Sequence, residues 1–101
     1  MQIIFINTIL CGVKVLPMSH PVKTPIEQYV IDMVKKKRTE KGYSQRELAY
    51  MLDVSIGFIG NVENPKYRAK YNLNHINSLA AIFKCSPKDF LPDKATDVRT
   101  Q

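Results

Sequence analysis

The sequence contains few of the residue groupings that catalysis or metal binding requires. Its two cysteines, Cys11 and Cys85, lie far apart, and its two histidines complete no spacing typical of a metal site. It also has no glycine-rich loop suited to holding a phosphate and no nucleophile with a matched base. The sequence therefore predicts neither an enzyme nor a metal or cofactor site, and the widely spaced cysteines are typical of a reduced cytoplasmic protein.

The sequence also lacks a hydrophobic run long enough to cross a membrane. Residues 1–18, MQIIFINTILCGVKVLPM, are apolar but are interrupted by Asn7, Gly12 and Lys14. No basic residue precedes this run and no small-residue cleavage site follows it, which argues against a secretory signal. Two interpretations remain open: a strand that pairs with another chain, or sequence upstream of a functional start at Met18. We favour the second, because MSHPVKTP is typical of an irregular arm leading into a capped helix.

Acidic residues are in the minority, with nine Asp and Glu against fifteen Lys and Arg and a formal net charge of +6. This balance favours a polyanionic partner, although soluble proteins without such a partner can carry a similar charge. The positions of the cations are more informative, because they crowd around the start of residues 44–63 and follow its end. These cations are Lys35, Lys36, Lys37, Arg38, Lys41, Arg46, Lys66, Arg68 and Lys70.

The chain of 101 residues allows one domain with a modest core, and its apolar residues recur at helical spacing. Thr24, Pro25 and Glu27 form a start signal for a first helix, which Gly42 ends. Asn72 caps a fourth helix, and Ser86 begins a short fifth helix that ends at Pro92. The predicted inward faces are Ile26, Val30, Met33 and Val34, then Leu73, Ile76, Leu79, Ala80 and Phe83, and finally Phe90 and Leu91. The sequence thus predicts an all-α, compact five-helix bundle without a strand in its core.

The predicted boundaries divide the chain into three parts. Residues 1–23 are expected to form an arm, residues 24–92 the folded domain, and residues 93–101 an irregular tail.

Residues 44–63, SQRELAYMLDVSIGFIGNVE, predict two short helices joined by a tight turn. Ser44 and Glu47 form a capping box at the start of the second helix, and Ser55 caps the third. Only Asp53 and Val54 remain for the turn between them. The small side chain of Ala49 permits a close helix crossing, and the apolar side of the angle is formed by Leu48, Leu52, Ile59 and Val62.

This pattern resembles the Cro and lambda-repressor-like helix-turn-helix family, also called the xenobiotic-response-element family. The resemblance covers about residues 26–91. Asp53 stands where the family usually has glycine, since the helix there ends in a left-handed conformation that Asp tolerates better than most residues. The matching residues are Ser44, Gln45, Glu47, Leu48, Ala49, Leu52, Val54, Ser55, Ile59, Val62 and Glu63.

The resemblance implies that the third helix, residues 56–64, enters the major groove of DNA. A rotation of about 100° per residue, taken from Ile59 as the buried centre, puts Gly57, Asn61 and Asn64 outward. Asn61 can bond an adenine edge at two points, and Phe58 or Ile56 can cover a thymine methyl. For Phe58, packing on the domain or on a partner is an equal alternative. The candidate base contacts are Ile56, Gly57, Phe58, Gly60 and Asn61.

Phosphate contacts are predicted around this helix. The resemblance assigns them to Gln45 and Asn64, and charge adds Arg46, Lys66 and Arg68. It also implies a structural ion pair between Arg38, late in the first helix, and Glu63, late in the third. With glycine at positions 57 and 60, we expect recognition to depend on DNA shape and phosphate contacts more than on direct base readout.

The sequence therefore predicts a repressor-like transcriptional regulator that binds double-stranded DNA. The resemblance implies a homodimer on two half-sites about one DNA turn apart. A membrane partner or a small-molecule ligand is not predicted. The alternative is a protein-interaction module of the antitoxin or anti-repressor type, built on the same fold and using the apolar N-terminus or the Phe58 face.

Overall fold

The computed structural model describes residues 22–97. It contains four α-helices and one short 3₁₀ helix within that range, and no strand. In chain order these are α1 (Pro25–Glu40), α2 (Gln45–Leu52), α3 (Ile56–Glu63), α4 (Leu73–Phe83) and the 3₁₀ helix (Pro87–Phe90). The all-α prediction is therefore confirmed. The interpretations given for residues 1–18, for Cys11 and for the last four residues lie outside the described range.

Each predicted helix start is occupied by a capping side chain. The Ser44 hydroxyl accepts a hydrogen bond from the Glu47 N–H at 3.0 Å, and the Glu47 carboxylate accepts one from the Ser44 N–H at 2.8 Å. The same reciprocal arrangement begins α1 at Thr24, α4 at Asn72 and the 3₁₀ helix at Ser86. These bonds satisfy N–H groups that the first helical turn leaves without a partner, so the helix starts are fixed by local sequence.

Left-handed residues end three of the helices. Gly42 follows α1 with φ of 76°, Asp53 follows α2 with φ of 60°, and Lys84 follows α4 with φ of 56°. A left-handed residue after a helix turns the chain back so that the last carbonyls accept hydrogen bonds, as in the bond of 3.0 Å from the Tyr43 N–H to the Arg38 carbonyl. The predicted end of α1 at Gly42 is confirmed by this geometry.

All five helices contribute to one core. In it α2 packs against α3 and α4, and α1 packs against α3 and the 3₁₀ helix. Val34, Leu48, Ile59, Val62, Leu79 and Phe90 are wholly buried there. Cys85 is a free thiol that packs against this core from its edge. No helix in residues 22–97 has the length and apolar character needed to cross a membrane.

Three predicted core positions are wrong. Ile26, Leu73 and Leu91 are 42%, 79% and 37% exposed, whereas Ile31, which the pattern left out, is buried. Ile26 and Leu73 lie in the first turns of their helices, where no neighbouring element covers them, and Leu91 follows the last helical residue. Helical periodicity identifies a face of a helix but not how far along it the neighbouring helices extend.

The fifth helix also differs from its prediction. It is a single 3₁₀ turn with hydrogen bonds from the Asp89 N–H to the Ser86 carbonyl at 2.9 Å and from the Leu91 N–H to the Lys88 carbonyl at 3.0 Å. Residues 87–90 are too few for several α-helical hydrogen bonds, and Pro92 prevents extension. Phe90 is buried as predicted.

Candidate nucleic-acid interface

The turn between α2 and α3 fixes the direction of α3. Asp53 adopts φ of 60° and ψ of 47°, and its N–H donates to the carbonyls of Ala49 and Tyr50. The Val54 N–H also donates to the Ala49 carbonyl, at 3.0 Å. The Ser55 hydroxyl then accepts the Phe58 N–H at 3.0 Å and starts α3. An aspartate thus occupies the left-handed position expected from the sequence, and the turn is as short as predicted.

One face of α3 packs into the core and the other faces solvent. Ile59 and Val62 are wholly buried against Leu48 and Ala49 of α2 and the rest of the core. Ile56, Gly57 and Asn61 are exposed, and Gly60 is half-buried. The helix ends at Glu63, one residue before the predicted end, because Asn64 has an extended conformation with φ of −94° and ψ of 119°.

Neither glycine of α3 is required by packing. A Cβ atom added at Gly57 would have only the Ser55 hydroxyl oxygen nearby, at 4.0 Å, and one added at Gly60 would lie 3.8 Å from Oε1 of Gln45. Both are ordinary or open distances, and neither residue has a positive φ. Glycine weakens a helix relative to alanine by roughly 0.5–1 kcal/mol. The two glycines leave the outer face of α3 flat and make the helix less stable. Packing within the domain does not explain why they are there.

The Phe58 side chain packs on the domain. Its ring is half-buried, with its centroid 5.1 Å from that of His75 and 6.1 Å from that of Tyr71. Burial, followed by the charge of Glu63, raises the pKa of the Tyr71 phenol, so this side chain stays neutral. The geometry thus corresponds to the packing alternative for Phe58, and Ile56 is the more exposed apolar side chain of α3.

Arg38 and Glu63 form a salt bridge between α1 and α3. Arg38 Nε donates to Glu63 Oε2 and Arg38 Nη2 donates to Glu63 Oε1, both at 3.0 Å. The third guanidinium nitrogen, Nη1, donates to the Tyr43 carbonyl at 2.8 Å. The two side chains are only 11% and 4% exposed. A buried bidentate pair of this kind restricts how α3 can move relative to α1.

Gln45, at the start of α2, extends this network. Its amide nitrogen donates to Glu63 Oε1 at 2.9 Å. An amide nitrogen carries two hydrogens, so one donor of Gln45 is engaged with Glu63 while the second is left for another acceptor. The side chain is half-buried at the point where α2 meets α3.

The other predicted phosphate contacts lie around the ends of α2 and α3. Arg46, Lys66 and Arg68 are exposed. The Asn64 side-chain oxygen accepts the Lys66 N–H at 2.9 Å and so shapes the loop after α3. Three cationic side chains are therefore exposed, one in the first turn of α2 and two in the loop after α3.

Several cations of the sequence cluster have partners within the domain. Arg38 pairs with Glu63, Lys70 lies 2.8 Å from Glu27, and the Lys37 ammonium lies 5.8 Å from the centre of the Phe90 ring. The net charge therefore overstates the number of cations that are available to a ligand. Within residues 22–97, no group of three or more His, Cys, Asp or Glu side chains is placed to hold a metal ion.

Lys23 is a residue that the sequence analysis missed. Its ammonium donates to the carbonyl oxygen of Asn64 at 2.6 Å and lies 3.5 Å from that of Asn61, and the residue is only 4% exposed. Burial lowers the pKa of Lys23, and the charge of Glu27 opposes this shift. The predicted boundaries assign Lys23 to the arm, yet it caps the C-terminal end of α3, where a cation is favourable. No local pattern marks a contact across 41 residues.

Comparison with known proteins gives structural relatives only. No protein-family model and no curated protein matches the chain. The restriction-modification controller protein C.AhdI from Aeromonas hydrophila is 25% identical, with a TM-score of 0.55 over 62% of this chain and 92% of that chain. A hypothetical transcription factor, NHTF from Neisseria, is 26% identical, with a TM-score of 0.56 over 77% of this chain and 87% of that chain.

A third solved structure, HppE with iron and substrate, is 16% identical and has a TM-score of 0.59. The match covers 72% of this chain and only 40% of that chain, so it shows a shared fold and nothing more. The first two matches cover most of the length of the proteins they match, at 92% and 87%. The folded part of the chain is a helix-turn-helix domain of the Cro and lambda-repressor-like type.

Proposed function

We propose that this protein is a cytoplasmic transcriptional regulator of the repressor type that binds double-stranded DNA with α3 in the major groove. The observation that carries the proposal is the outer face of α3, which is exposed and flat while its other face is anchored in the core. A helix presented in this way fits the major groove, and Arg46, at the start of α2, and Lys66 and Arg68, in the loop that follows α3, are exposed. Two of the structural relatives are a restriction-modification controller protein and a hypothetical transcription factor, which supports the same role.

In this proposal Asn61 reads an adenine edge and Ile56 covers a thymine methyl. Gly57 and Gly60 let the helix backbone approach the bases closely, and Phe58 supports the start of the helix from behind. Gln45 uses its second amide hydrogen on a phosphate, and Asn64 holds the loop that carries Lys66 and Arg68. The protein acts as a binding module rather than an enzyme, and two copies occupy two half-sites about one DNA turn apart.

Because only one side chain on this face is suited to two-point base recognition, DNA shape and phosphate contacts carry much of the affinity. Affinity should therefore fall steeply as salt increases, since each neutralised phosphate releases counterions. The protein should bind a duplex selected from a random pool more tightly than random duplex. The ratio of the two affinities should be smaller than for a protein that reads many bases directly.

Fluorescence anisotropy on selected and random duplexes over a series of salt concentrations tests this. Changing Arg46, Lys66 or Arg68 to alanine should reduce the slope of log affinity against log salt by about one per residue on both duplexes. Asn61→Ala should weaken binding to the selected site by about tenfold and leave random duplex nearly unchanged. Lys36→Ala, on exposed α1, is the matched control and should change neither. Absence of binding at low salt, or binding that ignores salt, would reject the proposal in favour of a protein-interaction module.

A further inference from the structure

The loop after α3 begins with a tight turn whose hydrogen bonds converge on one residue. The Asn64 carbonyl oxygen accepts the Tyr67 N–H at 3.1 Å and the buried Lys23 ammonium at 2.6 Å. The Asn64 side-chain oxygen accepts the Lys66 N–H at 2.9 Å. Pro65 occupies the second position of the turn, where its ring fixes the φ angle. The turn is therefore held in one conformation directly after α3.

Tyr67 places an exposed aromatic side chain at the end of this turn. The residue is 47% exposed, and its ring is not among the side chains packed against the core. Among residues 22–97, the hydrogen bond from its backbone N–H is the one polar contact that it makes. Its neighbours on both sides, Lys66 and Arg68, are also exposed. Packing within the domain thus does not explain why an aromatic side chain lies here between two cations.

The length of α3 indicates what this turn meets when the helix lies in DNA. A helix of eight residues is roughly 12 Å long, and the major groove is about 12 Å wide. With α3 in the groove, as proposed above, residues just beyond its end therefore lie close to a phosphate backbone. Tyr67 is one of them, because its backbone nitrogen is 3.1 Å from the carbonyl oxygen of Asn64, the residue that follows α3.

We propose that the Tyr67 hydroxyl donates a hydrogen bond to a phosphate of the DNA backbone. The inference rests on the proposed function and adds to it a phosphate contact that carries no charge. A tyrosine hydroxyl can donate to a phosphate oxygen, and it does so without the positive charge of lysine or arginine. The ordered turn presents this hydroxyl before DNA arrives, so binding loses little further backbone freedom.

An uncharged contact predicts a result that a lysine or arginine contact does not give. Neutralising a phosphate charge releases counterions, whereas a hydrogen bond from a neutral hydroxyl does not. Tyr67→Phe keeps the ring and removes only the hydroxyl oxygen. It should lower affinity about fivefold on the selected and the random duplex alike, and the slope of log affinity against log salt should not change. Lys66→Ala, in contrast, should reduce that slope by about one.

Fluorescence anisotropy with the full chain over a series of salt concentrations measures both the affinity and the slope. Tyr50→Phe is the matched control, because Tyr50 is 87% exposed on α2 and lies outside the turn. It should leave both quantities unchanged. Each variant loses one hydroxyl from an exposed side chain, so both should fold. Thermal melts that coincide with the wild-type melt check this.

Substitution within the DNA locates the contact. A methylphosphonate replaces one charged phosphate oxygen by a methyl group, and it can be placed at each backbone position of the selected duplex in turn. Wild-type affinity should fall at every phosphate that the protein contacts. At the phosphate bound by Tyr67 this fall should be at least twofold smaller for Tyr67→Phe than for wild type, and at the other positions it should be equal.

The outcomes separate this inference from the proposed function. The Tyr67 contact would be overturned if Tyr67→Phe bound both duplexes like wild type, weakened only the selected duplex, reduced the salt slope, or showed the wild-type fall at every methylphosphonate. In each of these cases the wild-type curves would still support the proposed function. A wild-type protein that binds neither duplex at low salt would instead overturn the proposed function itself.

Discussion

The Arg38 guanidinium, late in α1, makes two hydrogen bonds of 3.0 Å to the Glu63 carboxylate, late in α3. Both side chains are almost excluded from solvent, at 11% and 4% exposure. Glu63 also accepts a hydrogen bond from Gln45 of α2, so one carboxylate connects three helices. The consequence is that α3 is held at its C-terminal end by charge as well as by apolar packing.

Removing the carboxylate should therefore destabilise the domain strongly. Glu63→Ala leaves the Arg38 guanidinium buried without compensation, and such a loss costs about 3 kcal/mol or more. Asn61→Ala, on the exposed face of the same helix, should change the free energy of unfolding by no more than about 0.5 kcal/mol. Thermal and denaturant melts of the two variants check this. If Asn61→Ala proved the more destabilising, the ion pair would not have the structural role assigned to it.

Lys23 should contribute to the stability of the domain, and its charge should not contribute to DNA affinity. Lys23→Met keeps the apolar stem but removes the ammonium from the Asn64 carbonyl, which then keeps only the hydrogen bond of 3.1 Å from the Tyr67 N–H. The loss of this donor should cost about 1 kcal/mol. Lys66→Met, in the exposed loop after α3, is the matched control and should cost no more than about 0.5 kcal/mol. Denaturant unfolding gives the first readout.

The salt dependence of DNA binding gives the second readout for this pair of variants. Lys66→Met should lower the slope by about one, and Lys23→Met should leave it unchanged because its ammonium is buried against α3. If Lys23→Met instead lowered the slope without loss of stability, Lys23 would contact phosphate and not the end of α3.

The helix starts were predictable because the interactions that fix them are local. Ser44 and Glu47, or Asn72 and the first turn of α4, lie within three residues of each other, so their types and spacing contain the whole interaction. The position of the turn at Asp53 and Val54 followed from the same local signals, whereas its left-handed conformation was expected from the family resemblance. The burial of Ile59 and Val62 was predictable from helical periodicity, because neighbouring elements cover this part of α3.

Contacts between residues far apart in the sequence were predictable only where the family resemblance supplied them, and the others were missed. The Arg38–Glu63 pair was expected from that resemblance, whereas Lys23 and Asn64 match no motif and are brought together by the fold alone. Ile26 and Leu73 show the opposite error. Their spacing places them on the correct side of each helix, but whether another element covers a helix end depends on lengths and crossing points that periodicity does not contain.

Glu27 should make the domain sensitive to acid. Burial alone would raise the pKa of its carboxyl, but the Lys70 ammonium and the hydrogen bonds from Thr24 outweigh burial, and the pKa lies below its ordinary value of 4.5. Between the lower folded pKa and the ordinary value, the unfolded chain binds more protons than the folded one. The contribution of Glu27 is thus present above the ordinary value and is lost as the pH falls through the folded pKa.

Glu27→Gln isolates this contribution, because glutamine can keep the capping box but cannot titrate. At neutral pH the variant should be less stable than wild type by roughly 0.5–1 kcal/mol, as expected for a partly exposed pair. Urea melts across a pH series should show this difference disappear in acid. Glu40→Gln, at the exposed end of α1, is the control. A difference that persisted unchanged at low pH would show that the cap, and not the charge, is responsible.

Alanine substitutions at the glycines of α3 should raise the stability of the domain and lower its affinity for DNA. Since a Cβ at Gly57 meets only a hydroxyl oxygen at 4.0 Å, Gly57→Ala should raise the free energy of unfolding by roughly 0.5–1 kcal/mol. The same methyl would stand between α3 and the groove floor, so affinity for the selected duplex should fall about tenfold, or about 1.4 kcal/mol. Gly60→Ala should act in the same direction.

Ser78→Ala provides the control for the glycine variants, because this exposed residue of α4 also gains helix propensity but lies outside α3. It should stabilise the domain and leave DNA affinity unchanged. A Gly57→Ala variant that is more stable but binds DNA more weakly cannot owe its weaker binding to loss of the fold. The result would indicate that the backbone of α3 comes closer to DNA than a Cβ atom allows. If Gly57→Ala melted higher and bound the duplex as tightly as wild type, close approach at this position would be excluded.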